Sequence, residues 1–178
     1  MTASRPTTTR EALQRAIARR RRRQTKARWW RFGILAAAVL VADQVTKEVI
    51  RTTLVRGERH EVVAGFSISY VTNEGIAFGL FPGRQAAVAI LTVIALCAIA
   101  LALAGLVARN ATVAAGAGLL AGGSIGNLID RLVHGAVTDF LDPARWPAFN
   151  IADIGIVTGA ALIVLGLMRD AEEAEEPG

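Results

Sequence analysis

Residues 86–108 read AAVAILTVIALCAIALALAGLVA, 23 positions without a charged side chain. Crossing the roughly 30 Å hydrocarbon core of a bilayer takes about 20 mostly apolar residues. This run meets that length with no interruption, so the solvent for the fold is lipid. Three further stretches, 32–50, 111–133 and 150–168, have comparable length and apolar content, but each carries ionisable residues. Apolar residues make up 53% of the 178-residue chain, and the charges gather at its ends and between the apolar runs. The expectation is an all-α membrane protein, a bundle of four transmembrane helices.

The formal net charge of +5 would fit a nucleic-acid binder if it were spread over a surface. Instead, 11 of the 20 Lys and Arg residues precede residue 32, among them the block Arg19 to Arg23. A basic segment beside a transmembrane helix is held on the cytoplasmic side and attracted to anionic lipid. Membrane lipid is therefore the expected partner of this arm, and nucleic acid is not. A cleaved signal peptide is disfavoured, because no small-residue cleavage site follows the first apolar run and Asp43 and Lys47 interrupt it. With the N-terminus inside, four spans return the C-terminus inside and leave two segments, 51–85 and 134–149, outside.

The organisation expected is a basic cytoplasmic arm over 1–31, a four-helix membrane domain over 32–169, and a solvated, disordered acidic cytoplasmic tail over 170–178. The alternating stretch Phe66-Ser67-Ile68-Ser69-Tyr70 reads as a strand with one apolar face. Thr72-Asn73-Glu74-Gly75 follows with turn chemistry. A small extracytoplasmic β-sheet is thus expected between helices 1 and 2, over about 58–82. Gly118, Gly122 and Gly126 recur every four residues, as do Gly155 and Gly159, which is the pattern of closely packed membrane helices. The single cysteine, Cys97, reads as a small buried packing residue.

Ionisable groups within a membrane are costly, and each raises a functional question. Asp43 and Lys47 lie four apart on one helical face and can pair, either to tether the first span or to serve the chemistry. Asn127, Asp130 and Arg131 share one side of the third span. There Asp130 and Arg131 can neutralise each other or join a polar site. Asp139 and Asp153 have no cationic neighbour in sequence, and the connection between them is short, with Pro143 and Pro147 turning the chain back. Two carboxylates that meet in an apolar setting share a proton. One then activates water while the other polarises a carbonyl, with amides such as Asn127 and Asn150 orienting the pair. Other hydrolytic chemistries lack parts: there are only two histidines, in no zinc-binding pattern, and Cys97 has no histidine to activate it. A proton-coupled transporter using intramembrane aspartates is the competing expectation.

Read together, five stretches resemble the lipoprotein signal peptidases (signal peptidase II). They are Asp43-Gln44-Val45-Thr46-Lys47, Asn73-x-Gly75-x-Ala77-Phe78, Gly122-Gly123-x-x-Gly126-Asn127-x-x-Asp130-Arg131, Val137-x-Asp139-Phe140 and Phe149-Asn150-x-Ala152-Asp153. The resemblance implies an intramembrane aspartic endopeptidase, without metal or cofactor, that removes the signal peptide from diacylglyceryl-modified bacterial prolipoproteins before the lipidated cysteine. It implies a monomer in the bacterial plasma membrane with its site at the outer face. Carried over by motif, Asp139 and Asp153 are the catalytic pair. Asn127, Asp130, Arg131 and Asn150 support them, and Asp43, Lys47, Asn73 and Gly75 fall at structural or substrate-contacting positions. The sequence departs from the family pattern in a shorter Asp139 to Asp153 connection and a longer basic arm.

Overall fold

The computed structural model describes residues 9–74 and 85–175. Four helices and three strands follow in the order α1 (Thr9–Thr53), β1 (Arg59–Val63), β2 (Phe66–Asn73), α2 (Gln85–Val107), α3 (Ala111–His134), β3 (Val137–Pro143) and α4 (Ile151–Glu175). Among the described residues, three helical stretches, Ile90–Val107, Ala111–His134 and Ile151–Glu172, are long and apolar enough to cross a membrane. The first expected span lies within α1, a helix of 45 residues that runs through the basic arm without a break. Arg31, Asp43, Lys47 and Glu48 crowd its apolar stretch, which is why α1 falls outside the set defined by length and composition.

α3 is the central element, and its glycines explain why. A Cβ on Gly118 would stand 2.5 Å from the carbonyl oxygen of Phe32, and one on Gly122 would strike that of Ala36. On another side, a Cβ on Gly116 would stand 2.5 Å from the carbonyl oxygen of Gly159 in α4. Backbones this close need glycine, since membrane helices associate through packing rather than water exclusion. The glycine stripes therefore serve helix contact. Beside them Val113, Ala114, Ala117 and Ile163 form a small buried core with Val107 of α2.

Both ends of α3 are specified locally. Asn110 caps it, its side-chain oxygen accepting from the amides of Thr112 and Val113 at 2.8 and 3.1 Å. This satisfies amide donors that the first turn would otherwise leave open. At the other end Gly135 adopts φ 77°, the left-handed conformation that ends a helix and that glycine takes without strain. The chain then enters β3.

Sheet order is β1-β2-β3, antiparallel throughout. The expected sheet contained only the segment between the first two helices, but β3 comes from the connection between α3 and α4. Its Val-Thr-Asp-Phe-Leu run pairs with β2 from Phe66↔Pro143 to Asn73↔Val137. Residues 75–82 of the expected β region, with Gly75, lie outside the described residues. Two other expectations change. The acidic tail continues α4 to Glu175 as exposed helix, in keeping with the helix propensity of Ala and Glu. Cys97 is exposed, because α2 turns most of its apolar surface outward, with Leu101 82% accessible.

Candidate active site

Asp139 is delivered by β3. Thr138, just before it, donates its backbone amide to Asp130 Oδ2 at 2.9 Å, which ties the strand to the end of α3. The β2–β3 ladder has an irregularity between Ile68 and Val71, where Val71 faces Asp139. Such bulges re-aim side chains. Asn73, two residues farther along β2, donates its amide to Asp139 Oδ2 at 3.1 Å. The carboxylate is 2% exposed.

Asp153 is delivered by the start of α4. Asn150 accepts the Asp153 amide on its side-chain oxygen at 3.0 Å, and Asp153 Oδ2 accepts the Asn150 amide at 3.2 Å. This reciprocal arrangement is a capping box. It also places the Asp153 carboxylate in the first turn of a helix, where negative charge is favoured. Phe149 folds back beside Leu141, with backbone bonds of 2.8 and 2.9 Å, so the proline-containing connection closes on itself. Asn150 is thereby set next to β3, and its Nδ2 donates to Asp139 Oδ1 at 2.6 Å. One asparagine thus holds both aspartates.

The polarity of the surrounding amides follows from Lys47. Its ammonium only donates. It reaches Asn127 Oδ1 at 2.8 Å, so the Asn127 oxygen faces Lys47 and its Nδ2 faces Asp153 Oδ1, also at 2.8 Å. Asn150 Nδ2 completes the chain by donating to the same Asn127 oxygen at 3.2 Å. Lys47 is fully buried and pairs with Asp43 at 2.8 Å and Asp130 at 3.3 Å. Asp43 in turn accepts the amide of Ala152 at 2.9 Å, so α1 helps to cap α4. Arg51 supplies the second cation for this cluster, 3.4 Å from Asp130 and 3.2 Å from the Thr138 hydroxyl. The two buried carboxylates thus face Lys47 and Arg51, the latter shared with exposed Glu48 at 3.1 Å, and pairing of this kind is how buried charges are tolerated.

Asp130 therefore pairs with Lys47 and Arg51, not with its sequence neighbour Arg131. Arg131 donates to the Asn127 carbonyl at 3.3 Å and lines a pocket of about 300 Å³ with Asn127, Ser124 and Asp153, closed by Thr92, Ala95 and Ile99 of α2. The pocket joins charged groups to an apolar wall. Burial, and after it the negative charge of Asp153, push the Asp139 carboxyl up from an ordinary 3.8 to about 6. The amide bonds from Asn73 and Asn150 and the charge of Lys47 oppose that rise.

The structure thus brings together nine of the ten residues singled out from sequence, while Gly75 lies outside the described residues. Sequence reading passed over Arg51, Thr138 and Gln44, the last of which donates to Asp130 Oδ1 at 3.3 Å and to the Gly126 carbonyl at 3.2 Å. Arg51 had a usable signal, since Asp43, Lys47 and Arg51 repeat at i, i+4 and i+8.

A membrane-embedded helical bundle with a small sheet, holding two aspartates on a shared asparagine, defines a membrane protein with a paired-carboxyl site. The family model for signal peptidase (SPase) II matches residues 35–169, and the chain belongs to that family. It is 40% identical over 144 residues to a lipoprotein signal peptidase of Pelotomaculum thermopropionicum, covering 80% of this chain and 95% of that one. It is 40% identical over 147 residues to a lipoprotein signal peptidase of Geobacter metallireducens, covering 78% and 91%. A solved bacterial membrane enzyme, determined by the in meso method at 2.3 Å, superimposes with a TM-score of 0.70 at 33% identity, covering 82% of this chain and 92% of that one.

Proposed function

We propose that this chain is an intramembrane aspartic endopeptidase that cleaves the signal peptide from diacylglyceryl-modified prolipoproteins, before the lipidated cysteine. The observation that carries the proposal is the joint hold of Asn150 on Asp139 and Asp153 beside a pocket with an apolar wall. In the reading we favour, Asp139 holds the shared proton and Asp153 is the general base. Asp153 takes a proton from water, the hydroxide attacks the scissile carbonyl, and Asp139 gives its proton to the carbonyl oxygen. On collapse of the tetrahedral intermediate Asp153 passes its proton to the leaving amine and Asp139 takes back a proton from a hydroxyl of the gem-diol, which restores the starting pair. Every proton transfer is made to or from one of the two carboxyl groups, so none of these steps calls on a metal or cofactor.

Four membrane spans belong to the same proposal. α1 runs parallel to α3, residues 32–43 lying against 118–126, so α1 occupies the depth that α3 spans. The basic arm then keeps both termini in the cytoplasm and puts the aspartates at the outer face of the plasma membrane, in a monomer with its substrate's acyl chains in lipid. The signal peptidase II family and its relatives give no support to the transporter reading. The decisive test is incubation of the purified protein with a lipidated prolipoprotein peptide. Wild type should cleave it, while Asp139→Asn and Asp153→Asn should each lower kcat by at least about 10³ with the protein still inserted. Near wild-type cleavage by either variant would sink the assignment.

A further inference from the structure

One face of α1 carries a polarity gradient that peptide cleavage does not use. Gln24, Arg28 and Arg31 recur at i, i+4 and i+7 and line a recess of about 190 Å³ with Ala27 and with Ala111 at the start of α3. The recess continues, through Ala27 and Arg31, into a groove formed by Trp30, Ile34 and Leu35 with Ala115 of α3. Ile34 carries the groove onward to Ala38 and Val41. A single helical stripe is thus cationic at one end and apolar over the next roughly 17 Å, counting 1.5 Å per residue from Trp30 to Val41.

The cationic end is unspent. Arg28 gives one N–H to the Ala108 carbonyl at 2.8 Å and keeps the rest of its fork. Arg31 is exposed, and among the described residues none of the ten basic side chains from Arg10 to Arg31 has a carboxylate partner. The start of α3, at Ala111, adds the positive end of a helix dipole. Guanidinium forks match phosphate oxygens in pairs, whereas a zwitterionic headgroup offsets that attraction with its own cation. The family match begins at residue 35, so the cationic part of this stripe lies outside it.

We propose that this stripe is a binding site for one anionic phospholipid of the leaflet on the side of the basic arm. Its phosphate sits on Arg28 and Arg31, and an acyl chain lies along Trp30, Ile34, Leu35 and Ala115. The site lies beyond the opposite end of α3 from Asp139 and Asp153. It rests on α1 crossing the bilayer, as proposed above, and not on the identity of the catalytic groups.

The test is native mass spectrometry of the full chain in detergent with added phosphatidylglycerol, phosphatidylcholine or soluble glycerol 3-phosphate. Phosphatidylglycerol should bind at least ten-fold more tightly than phosphatidylcholine, and glycerol 3-phosphate should not displace it. R31Q should weaken phosphatidylglycerol binding several-fold, and R28Q/R31Q should abolish the preference. R10Q/R15Q, which removes two charges from the far end of the arm, should leave it unchanged. Cleavage of the lipidated peptide by R31Q within about two-fold of wild type shows that the variant is folded. Equal binding of the two lipids overturns the proposal. So does equal weakening by R10Q/R15Q, which means diffuse attraction, or displacement by glycerol 3-phosphate, which means a headgroup site without the groove.

Discussion

Lys47 has no accessible surface and three oxygen partners, Asp43, Asp130 and Asn127, so its removal leaves two buried carboxylates with only Arg51 to balance them. Breaking a buried pair by deleting one partner costs about 3–5 kcal/mol. Lys47→Met should therefore lower stability by that order in thermal unfolding. It also removes the shorter of the two bonds that hold the Asn127 oxygen, leaving the 3.2 Å bond from Asn150, so cleavage should fall even below the melting transition. Asp139 gives a pH signature. Its folded value of about 6 lies above the ordinary 3.8, so between these values the folded state holds a proton that the unfolded chain has released. Stability from this group is present at low pH and is lost as pH rises from about 4 to about 6. Melting curves of wild type and Asp139→Asn recorded from pH 4 to 8 should shift against each other over that window, wild type losing ground as pH rises. kcat/KM of wild type should decline above about pH 6, as Asp139 loses the proton it donates.

At the scale of elements, the glycine contacts between helices are the sharpest constraint. A methyl group at Gly122 would meet the backbone of Ala36, which cannot step aside as a flexible side chain can. Gly122→Ala should destabilise by about 1–3 kcal/mol, the usual cost of overpacking, and Gly33→Ala, with nothing within 4 Å, should be neutral. Comparison of the two by thermal unfolding in detergent checks the difference. The helices and their glycine faces were legible in sequence because span length and four-residue spacing are local signals. β3 was not: Val137-Thr138-Asp139-Phe140-Leu141 is a short run whose strand character depends on β2, 70 residues earlier. The partners of Asp130 were hidden for the same reason. Sequence offered Arg131 next door, while the fold supplies Lys47 and Arg51 from α1. Asp139 and Asp153 were legible because no adjacent cation accounted for them, and the short connection between them closes through Phe149 and Leu141.

At the scale of the whole molecule, the proposed sidedness rests on charge. The arm before residue 32 holds 11 basic residues, whereas the segments 51–85 and 134–149 hold only Arg51, Arg56, Arg59, Arg84 and Arg145 among Lys and Arg. In the topology proposed above, moving the arm across the membrane would cost far more than holding it inside, so α1 would enter with its N-terminus cytoplasmic and the other spans would alternate. Arg145, exposed between β3 and α4, should then face outward, and Glu175, exposed at the end of α4, should face the cytoplasm. Cys97 points out of the bundle in mid-span and can be replaced by Ala without emptying a core position. On that background, Arg145→Cys should react with a membrane-impermeant maleimide in intact cells, and Glu175→Cys should react only after permeabilisation. Equal labelling of both in intact cells would mean that α1 does not cross as drawn. The aspartate site would then lose its outer address while keeping its geometry, because Asn150, Asn127 and Lys47 hold it from within the bundle and not from the membrane surface.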